Sequence, residues 1–227
     1  MKLTLPHTTL SAITTKDHEA TLLAMKHCAS LMHFANIVYF SDIAPPTAVT
    51  SHFENFTYIR CPKFARRQDL CIWFMTCIFK YQHIFADHII GVQHDGYIVK
   101  PFAWLSEFLE YDYIGAPFPD KVVGNGGFCL YSKRLLNAIE ALNLPAREHP
   151  CHPADTRMSY DYRQRLTEFG VRFAPYELAI KFATDTTPYT NSFGFHGRWN
   201  LPYMKGLPWV FVPEHHQCLM LSAVQSR

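Results

Sequence analysis

The sequence predicts an α/β fold, in which a mostly parallel central sheet is flanked by helices. The first observation is a β-α-β opening: residues 8–14 alternate as a strand, residues 20–32 repeat apolar side chains every three or four positions, and residues 37–40 form a second strand. Such a unit favours parallel strands joined by a right-handed crossover. The second observation is an apolar, strongly periodic helix over 70–85, which leads directly into a buried strand that starts at His88.

The remaining elements follow from short apolar runs between turn residues. Further strands are predicted over 56–59, 88–92, 111–117, 128–131 and 171–174. Further helices are predicted over 102–109, 133–142 and 155–169, with Ser132 as an N-cap and Gly170 as a helix end. The chain contains no internal repeat or linker, so we expect one domain over residues 1–227, with a C-terminal tail over 198–227.

The composition excludes several classes of protein. A hydrophobic content of 48% in 227 residues is ample for a continuous core, and a net charge of +2 gives no basic surface for nucleic acid. The longest apolar run, residues 70–79, is half of the ~20 residues that span a bilayer, so no transmembrane segment is expected. Seven cysteines without a C-x-x-C pair indicate a reducing, cytoplasmic setting rather than a disulfide framework.

Three short segments place polar residues at strand ends or in glycine-rich turns. Gln93-x-Asp95-Gly96 follows the strand from His88, where ligands collect in open α/β sheets, although Asp95-Gly96 taken alone fits a plain turn better. The segment 124–127 has three glycines, which allow positive φ and close approach of a ligand, or serve only a tight turn. His196 lies between glycines and is either a loop histidine or a partner of Asp95 around a divalent cation.

Five segments in order carry a resemblance to a known family. They are Val92–Tyr97, Phe108–Pro117, Val123–Phe128, Gly170–Pro175 and Ser192–Gly197. Together they resemble a family of predicted glycosyltransferases that is marked by Q-x-D-G, E-Y-D-Y-I-G-A-P and V-G-N-G-G-F and looks like a compact GT-A nucleotide-sugar fold. The match covers residues 9–197, and five ordered motifs are more specific than any one of them.

The resemblance implies a metal-dependent glycosyltransferase, and specifically a hexosyltransferase. Such an enzyme moves a sugar from a nucleotide-diphosphate donor, above all a UDP-sugar, to a glycan or another hydroxyl acceptor, with Mn²⁺ or Mg²⁺ as cofactor. A role in polysaccharide biosynthesis in the cytoplasm would follow, with peripheral contact at the inner face of the membrane. No nucleic acid partner is expected.

The resemblance also assigns roles to individual residues. The metal ligands are Asp95 and His196. The donor-binding residues are Thr14, Thr15, Gln93, His94, Asp95, Asn125, Gly126 and Gly127. Asp155 is the candidate base that activates the acceptor, because family members carry Glu-Asp where this chain has Ala154-Asp155. An ordinary helix N-cap is the alternative for Asp155.

Two departures from the family pattern keep other functions open. Gln93 stands where GT-A enzymes carry an acidic residue, and Ala154 replaces the glutamate before Asp155. The alternative function is a non-catalytic module that binds carbohydrate or nucleotide and has lost turnover. A nucleotidyltransferase that makes the activated sugar fits less well, because the usual glycine-rich, basic N-terminal loop is missing.

Overall fold

The computed structural model describes residues 2–144, 152–186, 189 and 191–203. The strands are β1 (Leu3–Ile13), β2 (Met32–Ser41), β3 (Phe56–Arg60), β4 (His88–Val92), β5 (Gly96–Ile98), β6 (Tyr113–Gly115), β7 (Phe128–Ser132), β8 (Ala183–Thr184) and β9 (Gly194–His196). The α-helices are α1 (His18–Leu31), α2 (Thr47–Thr50), α3 (Arg67–Cys77), α4 (Lys133–Leu142), α5 (Ala154–Thr156), α6 (Arg163–Glu168) and α7 (Tyr176–Phe182).

Six strands form the central sheet in the order β3-β2-β1-β4-β7-β6. β3, β2, β1 and β4 are parallel, and β7 is antiparallel to both of its neighbours, so five of the six strands run in one direction. The predicted α/β class with a mostly parallel sheet is confirmed. The carboxyl ends of β1 and β4 therefore lie side by side at one edge of the sheet.

A second, three-stranded sheet has the order β5-β9-β8 and begins where β4 ends. β5 pairs antiparallel with β9, with Gly96 opposite His196, and β8 pairs parallel with β9, with Thr184 opposite Phe195. This small sheet brings His196 next to the turn after β4, although that turn lies about a hundred residues earlier in the chain.

The core has two parts, because successive residues of a strand point to opposite faces of the sheet. Ile90 and Leu130 pack with apolar residues of α1 and α7 on one face. Ile89 and Tyr131 pack with residues of α3, α4 and α6 on the other face. No helix in the described part of the chain is long and apolar enough to cross a membrane.

Three predicted helices are less regular than expected. The helix over 70–85 is α3 followed by a 3₁₀ helix, Ile78–Ile84, and the one over 102–109 is two 3₁₀ helices, Pro101–Ala103 and Ser106–Glu110. The chain is extended at Trp104, whose ring packs edge-on against Phe108. The helix over 155–169 is α5 and α6 joined by a π-helical turn.

The predicted strand over 171–174 is wrong. The N–H of Val171 bonds to Leu166 at the end of α6, and the N–H of Arg172 bonds to the carboxylate of Asp112. These donors are therefore not available to a ladder, and only Phe173 forms an isolated parallel bridge, to Tyr113.

Asp112, in the E-Y-D-Y segment, is a structural residue. Its Oδ1 accepts a hydrogen bond from the Ser132 hydroxyl at 2.6 Å, and its Oδ2 accepts one from the Arg172 N–H at 2.8 Å. Ser132 also caps α4 by accepting from the Leu135 N–H at 3.2 Å, as the sequence predicted. This buried carboxylate thus ties β7 and the chain before α7 to the start of β6.

The domain boundaries of 1–227 stay a prediction. The part of the predicted tail from residue 204 onward lies outside the described residues, as do Cys151 and Cys218. The other five cysteines are free thiols.

Candidate functional site

A cleft of about 420 Å³ opens at the carboxyl ends of β1 and β4. Most of the site residues that the sequence predicted line it: Thr14, Thr15, Gln93, His94, Asp95, Gly126, Asp155 and His196. The other two, Asn125 and Gly127, are not among the lining residues. The Oδ1 of Asn125 instead accepts from the Gly127 N–H at 2.8 Å, and this bond fixes the conformation of the glycine segment, residues 124–127.

The turn after β4 is built on the glycine segment. The N–H of Gln93 donates to the Gly127 carbonyl at 2.9 Å, and the N–H of Gly96 donates to the Gln93 carbonyl at 3.1 Å. A Cβ atom on Gly96 would lie 2.6 Å from the Gly127 carbonyl oxygen, so only glycine fits there. Asp95, between them, is a buried residue whose carbonyl accepts from the Gly197 N–H. The plain-turn alternative therefore accounts for Gly96 but not for the buried carboxylate.

Asp95 and His196 are in direct contact. Nε2 of His196 lies 3.2 Å from Oδ1 of Asp95, and Nδ1 of His196 lies 3.4 Å from Oδ1 of Asp185. Burial acts to lower the pKa of His196, but the carboxylates of Asp185 and Asp95 outweigh burial and raise that pKa to about 9. Without a cation, the ring is therefore an imidazolium at neutral pH.

The carboxylate of Asp95 is ionised because cationic side chains lie around it. Burial acts to raise its pKa, but His196, together with His94 and Arg198, lowers it to about 2. Nε2 of His94 accepts from the Arg198 guanidinium at 3.1 Å, so the ring carries its proton on Nδ1. That nitrogen lies 3.7 Å from Asp95 and 3.8 Å from Asp17. His94 thus lies between Arg198 and Asp95 and contacts both of them.

The contact between Asp95 and His196 fits a divalent cation. Octahedral ligands at 2.0–2.1 Å from Mg²⁺ are about 3 Å apart, close to the 3.2 Å between Asp95 Oδ1 and His196 Nε2. Asp95 Oδ1 is buried and makes no hydrogen bond of standard geometry within the described residues. Those residues contain no group of three or more His, Cys, Asp or Glu side chains arranged around a metal. Asp95 and His196 are thus two candidate ligands, and a cation held by them would need water and other oxygen ligands to complete its coordination.

Asp155 lies in the first turn of α5 and is buried. Its Oδ2 accepts from the Gly126 N–H and its Oδ1 accepts from the Thr156 N–H, both at 2.9 Å. The N-cap position belongs to Pro153, so Asp155 is not the ordinary N-cap of the alternative interpretation. Its carboxylate is held at the wall of the cleft by two backbone donors, and each oxygen keeps a second lone pair.

The three glycines of segment 124–127 do not have positive φ, contrary to the expectation. Other groups lie against them instead, so that a side chain would clash at Gly124 and Gly127 and would crowd Asp155 at Gly126. A Cβ atom on Gly124 would lie 2.6 Å from the Gly115 carbonyl, one on Gly126 would lie 3.1 Å from Cβ of Asp155, and one on Gly127 would overlap the ring of His196. The segment thus packs between Asp155 and His196, and it is not a hairpin turn.

Thr14 and Thr15 lie at the end of β1, as expected, but their hydroxyls already have partners. The Thr14 hydroxyl accepts from the N–H groups of Lys16 and Asp17, and the Thr15 hydroxyl accepts from the Phe64 N–H at 3.1 Å. Both hydroxyls therefore hold the loops that form the cleft wall.

Two cysteines, Cys71 and Cys129, also line the cleft. Burial raises the pKa of both thiols, that of Cys129 to about 12. Because the thiolate is the nucleophile, neither side chain suits nucleophilic catalysis at neutral pH.

The sequence pattern did not predict Asp185, the Arg198 contact with His94, or the cleft-lining cations Lys16, Arg66 and Arg67. No motif marks Asp185, which follows a strand of only two residues. The sequence did offer one signal, since Arg66 and Arg67 precede the periodic run at the start of α3.

This fold is similar to that of a solved glycosyltransferase. The structure is similar to the crystal structure of a glycosyltransferase involved in the glycosylation of the major capsid of PBCV-1, with a TM-score of 0.54 and 14% identity over 95% of this chain and 99% of that chain. A weaker likeness is to core-mannan synthase A (CmsA/Ktr4) from Aspergillus fumigatus in its Mn/GDP form, with a TM-score of 0.49 and 9% identity over 69% of each chain. The first likeness establishes a GT-A-like α/β fold.

The chain belongs to the DUF5672 family of proteins of unknown function. The family model matches residues 55–196, which is more than half of the chain. That range contains the turn after β4, the glycine segment, Asp155 and His196. A search of curated proteins finds no significant match.

Proposed function

We propose that this protein is a metal-dependent glycosyltransferase that moves a hexosyl group from a nucleotide-diphosphate sugar, with UDP-sugars as the first class to test, to a hydroxyl of a glycan acceptor. The observation that carries the proposal is the contact between buried Asp95 and half-buried His196, 3.2 Å apart beyond the end of β4, in the same cleft as Asp155. The glycosyltransferase-like fold supports it, and so do the five ordered sequence motifs.

Asp95 and His196 would hold Mn²⁺ or Mg²⁺. When bound, the cation neutralises the charge that develops on the departing nucleoside diphosphate. Cationic side chains support the same assignment, because Lys16, Arg66 and Arg67 line the cleft and complement a diphosphate.

The nucleoside end of the donor would lie against the end of β1. The hydroxyls of Thr14 and Thr15 are engaged by backbone groups, so these residues would contact the donor through their backbone and carbon atoms. Gln93 and Gly126 line the cleft beyond them, and the amide of Gln93 suits hydroxyls of the ribose or the sugar.

Asp155 is the proposed general base. Its carboxylate would take the proton of the acceptor hydroxyl as that oxygen bonds to the anomeric carbon and the bond from this carbon to the phosphate oxygen breaks. The N–H of Gly126, at 2.9 Å, would hold Oδ2 in place during the transfer. A base of this kind contributes about 10²–10⁴-fold in rate.

A direct assay tests the proposal. Purified protein with Mn²⁺ would be mixed with a panel of UDP- and GDP-sugars, with and without acceptor glycans, and release of nucleoside diphosphate would be measured. A thermal-shift screen selects the donor first, because a bound ligand raises the apparent stability. We expect Mn²⁺-dependent release that an acceptor increases. Metal-dependent nucleotide binding without release would favour the non-catalytic module, and absence of nucleotide binding would contradict both functions.

A further inference from the structure

Asp185 is a buried carboxylate that the proposed reaction does not use directly. It follows β8, is 7% exposed, and its Oδ1 lies 3.4 Å from Nδ1 of His196. The two residues meet because β8 and β9 are parallel with Thr184 opposite Phe195, which places the next residue of each strand side by side. His196 thus stands between two carboxylates, with Asp95 on its Nε2 side.

The backbone of Asp185 is fixed by the 3₁₀ helix Arg198–Tyr203. Its carbonyl accepts hydrogen bonds from the indole N–H of Trp199 and from the side-chain amide of Asn200, the latter at 3.1 Å. The same Asn200 amide donates to the His196 carbonyl at 3.0 Å. One side-chain amide therefore ties the backbones of Asp185 and His196 to each other before any ligand binds.

Asp185 is placed to act on His196 rather than on a ligand. His196 and Asp95 line the cleft, whereas Asp185 is not among the lining residues. Oδ1 of Asp185 and Nδ1 of His196 are both buried, and neither makes a hydrogen bond of standard geometry within the described part of the chain. Because buried polar atoms are almost always paired in native proteins, these two atoms are best satisfied by each other.

Building on the proposed cation site, we propose that Asp185 is a positioning residue that accepts the Nδ1–H of His196 and so directs the Nε2 lone pair toward the cation held with Asp95. Histidine ligands of metals generally donate their other ring N–H to a carboxylate or carbonyl. Loss of such a partner typically weakens metal affinity about 10–100-fold.

The test uses the full chain and Asp185→Asn, with Mn²⁺ affinity measured by calorimetry in the presence of UDP. We expect Asp185→Asn to bind Mn²⁺ about 10–100-fold more weakly than the parent, with an unchanged circular dichroism spectrum. Asp42→Asn is a matched control, because Oδ1 of Asp42 lies at the same 3.4 Å from a histidine, His18, and Asp42 is not among the residues that line the cleft. Its Mn²⁺ affinity should equal that of the parent.

A second readout needs no variant. In ¹⁵N-histidine-labelled parent protein with Mg²⁺ and UDP, NMR should show His196 protonated on Nδ1 and bare on Nε2. Protonation on Nε2 instead, or a parental Mn²⁺ affinity in Asp185→Asn, would overturn the role of Asp185 and leave the proposed function standing. If the parent itself binds no Mn²⁺, the cation site of the proposed function is wrong, and the role of Asp185 is wrong with it.

Discussion

Gly127 packs directly on the imidazole of His196, and a Cβ atom at this position would overlap three atoms of the ring. The ring is held between Asp95 and Asp185 and is 14% exposed, so it has little room to move aside. We therefore expect Gly127→Ala to displace Nε2 and to weaken Mn²⁺ binding at least tenfold, which corresponds to about 1.4 kcal/mol. Calorimetric titration with Mn²⁺ and UDP checks this expectation.

Gly126→Ala is the matched control for that prediction. A Cβ atom there would lie 3.1 Å from Cβ of Asp155 and would not meet His196. Its Mn²⁺ affinity should stay at the parental value, while the glycosyl transfer rate falls. Equal losses of Mn²⁺ affinity in Gly127→Ala and Gly126→Ala would show that the glycine segment affects Mn²⁺ binding only through the overall stability of the protein.

Removing the charge of Asp95 should abolish the proposed cation site. Asp95→Asn keeps the shape of the side chain but removes an anionic ligand, and it leaves the His196 imidazolium with Asp185 as its anionic neighbour. We expect UDP binding to lose its dependence on Mn²⁺, as measured by titration with and without the cation. Identical nucleotide affinities of Asp95→Asn and the parent in Mn²⁺ would remove Asp95 from the site.

Asp155→Asn should separate binding from transfer. The asparagine cannot take a proton, so transfer should fall by about 10²–10⁴-fold. Binding of Mn²⁺ and UDP should be unchanged, because the contacts of Asp155 are to Gly126 and Thr156. Single-turnover rates and nucleotide titration on the same preparation measure the two effects. A variant that retains the parental transfer rate would exclude Asp155 as the base.

Asp112 should matter for stability and not for the cleft. Its carboxylate accepts from the Ser132 hydroxyl and the Arg172 N–H, both in the sheet and loops behind the site. Asp112→Ala leaves these donors without their partner, and about 1–3 kcal/mol for each buried unsatisfied group is expected to be lost from the free energy of unfolding. Urea denaturation measures this loss, and Mn²⁺ affinity in native buffer should not change. A large loss of affinity with little loss of stability would place Asp112 in the site.

The site residues that the sequence predicted are marked by short-range signals, such as the end of an apolar run or a turn rich in glycine. The strand β4 is buried on both faces, so its end at Val92, and with it the following turn that contains Asp95, could be located from the apolar run. The glycines around His196 marked it as a second candidate, and the pairing of β5 with β9 brings it to Asp95. Neither local signal excluded a plain turn at Asp95 or an ordinary loop histidine at His196, and the order of five motifs favoured a site at both residues.

The parts that the sequence did not predict depend on contacts between distant residues. Asp185 follows a two-residue strand, too short to give a periodic signal, and its partner is eleven positions away. The strand over 171–174 failed for a related reason, because the side chain of Asp112, sixty residues earlier, takes one of its N–H groups. Neither relationship is visible in local propensity, which describes only neighbours in the chain.

The ion pair of His196 with its carboxylates gives the metal-free protein a specific pH dependence. The pKa of His196 is raised from its ordinary value of 6.5 to about 9, so the protonated ring stabilises the folded state fully below pH 6.5 and loses this effect as the pH rises through 9. The pKa of Asp95 is lowered from 3.8 to about 2, so the same contact is lost at the acid end as the pH falls from 3.8 through 2.

The difference in Tm between the parent and His196→Asn isolates this contribution. Buried thiols such as Cys129 also reduce stability at alkaline pH, because they ionise more readily in the unfolded chain, but they do so equally in both proteins. We expect the difference to be largest and constant between about pH 4 and 6.5 and to shrink toward pH 9 in the presence of a chelator. A difference that stays constant from pH 6.5 to 9 would mean that His196 is neutral in the metal-free fold. In that case the ring would already present a bare nitrogen to a cation, and Mn²⁺ binding would show no competition with protons.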